Sequence, residues 1–492
     1  MNNKPIRKIV IAGGGTAGWM AAAALGKLLG KRLDITLIES DEIATVGVGE
    51  ATIPTMIFFH KLLQIDEKAF LKATNGTFKL GINFENWRDV NEDYLHAFGV
   101  TGKDCWAAGF QHFWLKGRDK GFSKEFGTYC LERRAAEDNK FQHLPNNGLN
   151  YAYHIDASAY AKFLRSFSEK FGVKRLEGKI DKVNTADDLS AINSLTMDNG
   201  EVIQGDLFID CTGFRGLLIE QALHTGYEDW SHWLPCDRAI AVQTEALQAP
   251  IPYTRSIAQE SGWQWRIPLQ NRVGNGLVYC SKYMSDEQAK QFLLENIEGQ
   301  TLNEPRVIRF RTGRRLKQWN KNCVALGLAS GFLEPLESTS IHLIQQGIVR
   351  LLRMFPHQGI MQTDIDEYNK QTNFDVEKIR DFIILHYKVT NRKDSQFWRY
   401  CQNMTIPKSL AHRIQHFIET GRVFREGNEL FDDSWQQVMI GQGLIPEQYH
   451  PIVDMMSDEE LERFLGQIEL NIERTLQGMP IHNAYLDHYC SN

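Results

Sequence analysis

Residues 8–50 read KIVIAGGGTAGWMAAAALGKLLGKRLDITLIESDEIATVGVGE, and this stretch decides the fold. The apolar run Lys8–Ala12 predicts a strand, and a glycine turn follows it at Gly13–Gly18. Trp19–Leu25 is typical of a helix, and Asp34–Ile38 predicts a second strand that ends at Glu39. The order of strand, glycine turn, helix, strand and acidic residue is that of a βαβ nucleotide-binding unit.

Each glycine of this turn has a separate task when a dinucleotide binds. Gly13 permits the tight turn, Gly15 lets the backbone approach a pyrophosphate, and Gly18 lets the helix pack onto the strand. The N–H groups at the helix N-terminus attract phosphate charge, and Glu39 can accept a hydrogen bond from a ribose hydroxyl. A glycine turn alone is weak evidence, but here its neighbours have the expected spacing. We therefore predict a dinucleotide site; the alternative is a glycine turn that binds no ligand.

Length and composition exclude several classes of protein. The chain has 492 residues, enough for a large core and a second module, and its net charge of −6 offers no basic surface for nucleic acid. The eight cysteines are scattered without paired spacing, so we expect no metal site and no disulfide framework. We find no charged-then-apolar leader and no apolar run long enough to cross a bilayer. These features predict a cytoplasmic enzyme without a membrane partner.

Two later segments have open interpretations. The loop at 46–54, with two glycines and a terminal proline, is either a plain connector or a strap over the cofactor. From Thr77 to Arg88 the chain alternates as one strand, which puts Phe78 and Lys79 on opposite faces. On this pattern alone, the plainer interpretation of Lys79 is a solvated surface charge.

Further segments support an α/β sheet with a helical C-terminal part. The apolar run 206–211 ends in a glycine turn, as a parallel strand does. Trp263, Trp265 and Ile267 share one strand face and predict core packing or a pocket wall. Ser338–Ser340 lie where a long helix begins, and free N–H groups there can hold a small anion. Glu337 lies just before them. Considered alone, this acid is interpreted as a helix-capping or surface charge.

Taken together, five motifs resemble the flavin-dependent tryptophan halogenase family. The resemblance covers residues 5–390 well and the helical tail loosely. The motifs, in chain order, are GGGTAGWM at 13–20, GVGEATIP at 47–54, NG-x-FK at 75–79, GW-x-W-x-IP at 262–268 and FLEPLEST at 332–339.

The resemblance implies an FAD-binding Rossmann-like fold of the flavin monooxygenase type. We expect a module at 1–360 and a mainly helical layer at 361–492 that covers the substrate pocket. Within the module, the nucleotide core is expected at about 5–55, 150–240 and 300–360, and the substrate-side sheet at about 75–150 and 240–300.

The resemblance also implies a reaction. FADH2, O2 and chloride or bromide would give hypohalous acid, Lys79 would position it, and Glu337 would stabilise the cationic ring intermediate and take its proton. Thr339 and Ser340 are expected at the halide site, and His96, Phe98 and Trp435 at the substrate pocket. The residues expected to bind the cofactor are Gly13, Gly15, Thr16, Ala17, Gly18, Glu39, Val48, Glu50, Ala51, Val183, Leu328 and Ile341.

The sequence departs from the family pattern in two places. Family members that halogenate free tryptophan bind its carboxylate with a pair of tyrosines. The comparable segment here reads SWQQVMIG at 434–441 and lacks that pair. Ser340 stands where those enzymes carry glycine, so the choice between chloride and bromide stays open. We therefore expect an electron-rich aromatic substrate, such as indole, a substituted indole or another tryptophan-like compound, and whether free tryptophan is accepted stays open.

Two other functions compete with a halogenase. A flavin-dependent aromatic hydroxylase would reduce its own flavin with a nicotinamide, but no second glycine motif is present for that cofactor. A flavin-binding protein without catalysis would not need Lys79. The expected partners are a separate flavin reductase and a small aromatic substrate, and a homodimer stays open.

Overall fold

The computed structural model describes residues 5–43, 49–187, 190–427 and 429–491. The chain forms two compact units, each built from three segments. The first, the nucleotide unit, comprises Met1–Gly76, Ile155–Pro235 and Arg309–Glu377. The second, the lysine unit, comprises Thr77–His154, Cys236–Ile308 and Lys378–Asn492.

Strands are numbered in chain order through both units. They are β1 Lys8–Ala12, β2 Asp34–Glu39, β3 Gly49–Ala51, β4 Thr77–Lys79, β5 Gly81–Glu85, β6 Asp93–Ala97, β7 Ala152–Asp156, β8 Lys174–Glu177, β9 Ile180–Thr185, β10 Ile192–Met197, β11 Val202–Gln204, β12 Leu207–Asp210, β13 Tyr227–Asp229, β14 Arg238–Glu245, β15 Tyr253–Gln259, β16 Gly262–Pro268, β17 Arg272–Tyr279, β18 Arg306–Arg309, β19 Gly313–Arg315, β20 Trp319–Asn320, β21 Cys323–Ala325 and β22 Gly331–Phe332.

The α-helices are numbered in the same way. They are α1 Thr16–Leu29, α2 Thr55–Leu63, α3 Glu67–Thr74, α4 Phe110–Asp119, α5 Leu131–Glu137, α6 Ala157–Glu169, α7 Asp286–Glu295, α8 Ser340–Arg353, α9 Gln362–Lys388, α10 Gln396–Asn403, α11 Lys408–Thr420, α12 Ser434–Gly441, α13 Asp458–Gln477 and α14 His482–Ser491.

A six-stranded sheet organises the nucleotide unit. Its order is β20-β21-β12-β1-β2-β8, and β1 lies parallel between β12 and β2. Ile9–Ala12 are at most 1% exposed, because a central parallel strand is covered on both faces. Helix α1 packs through its buried stretch Gly18–Gly26, so the predicted strand–turn–helix–strand order of residues 8–39 is confirmed.

A seven-stranded sheet organises the lysine unit. Its order is β18-β14-β17-β16-β15-β5-β6, with β5 parallel to β15 and antiparallel to β6. Ile240, Val242 and Leu277 form a buried cluster with Ala289 and Leu293 of helix α7. The α/β class, the second sheet and the helical character after residue 360 agree with the prediction.

The division into a module at 1–360 and a helical layer at 361–492 stays a prediction. The compact units divide the chain in their own way: Arg309–Glu377 group with the first unit and Lys378–Asn492 with the second. The change in composition near 360 marks a change to helix, and helix α9 continues from Gln362 to Lys388 without a break at the domain boundary.

The prediction of one strand over residues 77–88 is wrong. The chain forms two strands there: β4 pairs with β7, whereas β5 joins the seven-stranded sheet. Leu80 separates them, and its N–H donates to the carbonyl of Pro252. The alternating pattern could not reveal this break because apolar residues recur at every second position from Phe78 through Leu80 to Phe84.

In the described part of the chain, no helix is long and apolar enough to span a membrane.

Candidate functional site

The glycine turn of the nucleotide unit is shaped to receive a ligand. Gly13 has φ of 106°, a left-handed conformation that favours glycine, and a Cβ there would overlap the carbonyl of Cys211. A Cβ on Gly18 would overlap the carbonyl of Gly13, so this glycine permits close packing of helix on strand. A Cβ on Gly15, in contrast, would meet no described atom within 4 Å.

Helix α1 begins directly after this open position. Its N-cap is Gly15, and none of the described side chains caps the helix there. Gly13–Ala17 are partly exposed, so the first N–H groups of the helix can bind a phosphate group. These features fit the pyrophosphate of FAD.

Substituting alanine at Gly15 and at Gly18 is expected to separate ligand binding from folding. Gly15→Ala should keep the melting temperature but weaken FAD binding at least about tenfold, because its methyl group would fill the open space where a pyrophosphate is expected. Gly18→Ala should destabilise the fold by about 1–3 kcal/mol, because its methyl group overlaps backbone. Thermal melting and FAD titration measure both effects. Wild-type FAD affinity in Gly15→Ala would contradict this assignment.

Glu39 is fixed beside the turn. Its carboxylate accepts hydrogen bonds from Trp19 Nε1 at 3.2 Å and from Arg175 Nε at 2.5 Å. A Cβ on Gly14 would overlap this carboxylate, so the acid lies against the glycine turn as the dinucleotide motif requires. Arg175 also contacts Asp41 and Glu177, and although partial burial opposes the charge, these acids and Glu39 together raise the pKa of the guanidinium.

The segment from Gly49 to Pro54 leads into helix α2. Val48 lies outside the described residues, whereas Glu50 and Ala51 form part of β3. Burial raises the pKa of Glu50 to about 7. Thr55, at the start of α2, has Oγ1 2.9 Å from His342 Nδ1 on α8. This hydrogen bond ties the end of the predicted strap to the helix that follows Glu337.

Glu337 lies in a strained and buried turn of the nucleotide unit. The turn Pro335–Glu337 is a short 3₁₀ helix, and Ser338 follows with φ of 58°. A non-glycine residue in this left-handed conformation costs about 1–3 kcal/mol and is often found at functional sites. Glu337 is 0% exposed, so the interpretation of Glu337 as a surface charge is wrong. The sequence pattern gave no sign of this burial.

The predicted halide residues lie directly at the start of α8. Thr339 is the N-cap and is 1% exposed, and no described side chain caps the helix. Ser340 is the first residue of α8 and is half-buried. A helix start of this kind suits a small anion.

The remaining cofactor candidates lie at different depths in the nucleotide unit. Thr16 and Ala17 are partly exposed in the first turn of α1, and Leu328 is partly exposed in the short turn Gly327–Ala329. Ile341 is buried in the first turn of α8. Val183 packs against the core cluster that contains Val10 and Phe208.

Lys79 is completely buried in the lysine unit. It is the last residue of β4 and is 0% exposed. Its Nζ lies 5.1 Å from the centroid of the Phe98 ring, within the range of a cation–π contact. The N–H of Phe98 donates to the carbonyl of Leu80, which holds this loop beside Lys79. The interpretation of Lys79 as a solvated charge is therefore wrong.

The three predicted substrate residues divide into two groups. Phe98 lies with Lys79, whereas His96 and Trp435 share Phe382 as a neighbour. The ring centroids of His96 and Trp435 lie 5.7 Å and 4.9 Å from that of Phe382. Trp435 Nε1 is buried and has no hydrogen-bond acceptor among the described atoms.

Gln437 links the helix of Trp435 to the strand of His96. Its Nε2 donates to the carbonyl of Gly99 at 2.8 Å, and its Oε1 accepts from the N–H of Ala97 at 3.2 Å. Gln437 was not predicted as a functional residue. The sequence offered one sign of such a role, which is that Gln437 lies two residues after the predicted substrate residue Trp435.

The two-tryptophan motif is buried in the lysine unit. Trp263 and Trp265 are 2% and 7% exposed, and their ring centroids are 6.1 Å apart. Trp265 pairs across the strands with Gly276, where a Cβ would overlap the indole ring. The predicted strand and its shared face are present as β16.

Comparison with known proteins gives one consistent result. The sequence model of the tryptophan halogenase family matches residues 8–458. Tryptophan 6-halogenase SttH of Streptomyces toxytricini is 34% identical, over 99% of this chain and 98% of its own. The solved structure of Xcc4156, a flavin-dependent halogenase from Xanthomonas campestris, has a TM-score of 0.98 at 58% identity and covers 99% of both chains. That of BrvH, a flavin-dependent halogenase from Brevundimonas sp. BAL3, has a TM-score of 0.94 at 44% identity, over 98% of this chain and 99% of its own.

Proposed function

Because the chain belongs to the tryptophan halogenase family and is a flavin-dependent halogenase, we propose that Lys79 and Glu337 are its catalytic residues and that a neutral indole is its substrate. The observation that carries this proposal is the complete burial of both ionisable side chains. Such groups are costly to bury and are typical of functional sites. The named relatives are halogenases, so the hydroxylase alternative is not favoured.

The nucleotide unit would hold FAD at the glycine turn. With O2 and a halide ion, bound FADH2 supplies hypohalous acid. The open position at Gly15 and the uncapped start of α1 support pyrophosphate binding, and Glu39 supports ribose binding. Thr339 and Ser340 would hold chloride or bromide at the start of α8. The other cofactor contacts proposed are Gly13, Thr16, Ala17, Gly18, Val48, Glu50, Ala51, Val183, Leu328 and Ile341.

Lys79 would hold the oxidised halogen and direct it to one ring carbon. As an ammonium it donates a hydrogen bond to the oxygen of hypohalous acid. As a neutral amine it forms an N–halogen bond and releases water, and transfer of the halogen to the ring regenerates the amine. In either form the burial of Lys79 keeps the oxidant from bulk water, and fixed placement supplies a large part of the rate.

Glu337 would act on the ring after the halogen has been added. The ring then carries a positive charge, which a carboxylate stabilises, and a C–H proton must leave to restore aromaticity. A carboxylate held in a buried turn can accept that proton. Ser338, the next residue, has a left-handed backbone conformation. This supports the role of Glu337, because it fixes the path of the backbone directly after Glu337.

The charges around Trp435 support a substrate without a carboxylate. The guanidinium of Arg413 lies 4.2 Å from the Trp435 ring. Both terminal nitrogens of Arg413, however, donate to the Glu429 carboxylate at 3.0 Å, and the two side chains are 4% and 1% exposed. A second carboxylate would have to compete with this buried pair.

Indole is therefore expected to be a better substrate than free tryptophan. With reduced FAD, O2 and bromide in excess, kcat/KM for indole should exceed that for tryptophan at least about tenfold, since the pocket would compensate neither charge of the amino acid. Initial rates of product formation by liquid chromatography and mass spectrometry test this. Turnover of tryptophan as efficient as that of indole would contradict the substrate assignment.

The enzyme would work in the cytoplasm with a separate flavin reductase. The similar solved structures are of flavin-dependent halogenases, and for this chain a reductase would supply the FADH2. The eight cysteines form no disulfide in the described residues, which supports a reducing compartment.

A further inference from the structure

The strand that carries Lys79 is very short. Strand β4 has three residues and pairs with β7, where Thr77 faces His154 and Lys79 faces Ala152. Three residues are at the lower limit of the usual strand length. Side-chain hydrogen bonds at the first residue of β4 supply additional restraint.

Thr77 and His154 form a buried chain of hydrogen bonds. Thr77 Oγ1 donates to the carbonyl of Pro268 at 2.8 Å and lies 2.9 Å from His154 Nδ1. The other ring nitrogen, His154 Nε2, lies 2.9 Å from Thr254 Oγ1. Thr77 and His154 are 0% exposed, and Thr254 is 6% exposed. These hydrogen bonds therefore connect β4 to the last residue of β16 and to β15.

The chemistry of these groups fixes each donor. Thr77 has one hydroxyl proton, and the Pro268 carbonyl can only accept, so that proton is committed to Pro268. His154 Nδ1 must then be the N–H that donates to Thr77 Oγ1. Neutral imidazole accepts at the other nitrogen, so Thr254 Oγ1 donates to Nε2.

Burial, with a smaller effect of neighbouring groups, keeps this imidazole neutral. Burial, together with the nearby Lys79 and His482, holds the pKa of His154 well below its usual range. His482 is itself buried, and its Nδ1 donates to the carbonyl of Pro250. His154 near Lys79 is therefore neutral, with its proton on Nδ1.

We propose that His154 is a positioning residue for Lys79: through Thr77 it fixes the direction of β4 against the strand end at Pro268. The proposal rests on the proposed catalytic role of Lys79. His154 touches neither substrate nor cofactor in this role. It sets where the Lys79 amine meets the oxidised halogen, and a displacement of about 1 Å can cost about 100-fold in rate.

Paired substitutions at Thr77 and His154 test the proposal. Thr77→Val keeps the shape of threonine and removes the hydroxyl, whereas Thr77→Ser keeps the hydroxyl. His154→Asn places an amide N–H near the position of Nδ1, and His154→Gln places one near Nε2. Thr254→Val is the control, since it removes only the far hydrogen bond. For each variant, product per O2 consumed, kcat, KM, trapped free hypohalous acid, FAD affinity and melting temperature are measured.

Thr77→Val and His154→Gln are expected to lower product per O2 at least about tenfold, with kcat reduced, KM for indole unchanged and more free hypohalous acid trapped. Thr77→Ser, His154→Asn and Thr254→Val should stay within about threefold of wild type. FAD affinity should be unchanged in all five variants. Wild-type product per O2 in Thr77→Val and His154→Gln would overturn the proposal, as would losses that follow only the fraction of folded protein.

Lys79→Ala separates this inference from the proposed function. If Lys79→Ala retains product, the catalytic role of Lys79 fails and the positioning proposal fails with it. If Lys79→Ala loses product while the Thr77 and His154 variants keep the wild-type amount of product per O2 consumed, only the positioning proposal fails.

Discussion

Replacing Lys79 by alanine is expected to abolish halogenated product, by at least about 10³-fold, while FAD binding stays unchanged. Lys79 is buried and lies 5.1 Å from the Phe98 ring, so its amine is held in a defined place. Without it, hypohalous acid has no fixed partner and escapes to water. Product formation, trapped hypohalous acid and FAD affinity are measured on the same preparation.

Lys116 provides a matched control for this substitution. It is a second buried lysine of the lysine unit, 5% exposed, and its Nζ donates to the carbonyls of Val453 and Met456. Lys116→Ala should lower stability but keep product per folded enzyme. A comparable loss of product in both variants, at equal folded fraction, would show that burial of a lysine and not the position of Lys79 matters.

Glutamine at Glu337 is expected to lower kcat at least about 10²-fold, with FAD binding intact. Glutamine keeps the shape of the side chain but can neither carry the charge nor take the ring proton. Loss of that proton should then limit the rate, so a primary deuterium isotope effect should appear when the reacting ring carbon carries deuterium. Single-turnover rates with labelled and unlabelled indole measure this effect.

Glu228→Gln is the control for the Glu337 substitution. Glu228 lies in the same unit and pairs with Arg314, but its side chain is 39% exposed. The Glu228→Gln enzyme should keep the wild-type kcat and show no new isotope effect. A Glu337→Gln enzyme with wild-type kcat and no isotope effect would remove Glu337 from the proposed mechanism.

The nucleotide-binding stretch could be predicted in detail because its determinants are local. Each glycine from Gly13 to Gly18 and the apolar run before them act within a few residues, and Glu39 ends the next strand. The sequence therefore predicted the sheet, the helix and the acid beside the turn. The resemblance to a family added the candidates Lys79 and Glu337, which local patterns alone would have placed at the surface.

The surroundings of Lys79 could not be predicted because they are non-local. The apolar alternation continues through Leu80, so nothing in it marks the point where the chain leaves β4 for another sheet. His154 lies 77 residues after Thr77, and Pro268 lies 191 residues after it. Hydrogen bonds over such separations depend on strand order, which the sequence pattern does not contain.

The most direct test of the central claim compares wild type and Lys79→Ala by mass spectrometry. Both enzymes receive indole, O2, bromide and FADH2 from a reductase. The account predicts the bromine isotope doublet on the wild-type product and none on that of Lys79→Ala, with equal FAD bound to each. A hydroxylated product from wild type, or brominated indole from Lys79→Ala at the wild-type rate, would contradict it.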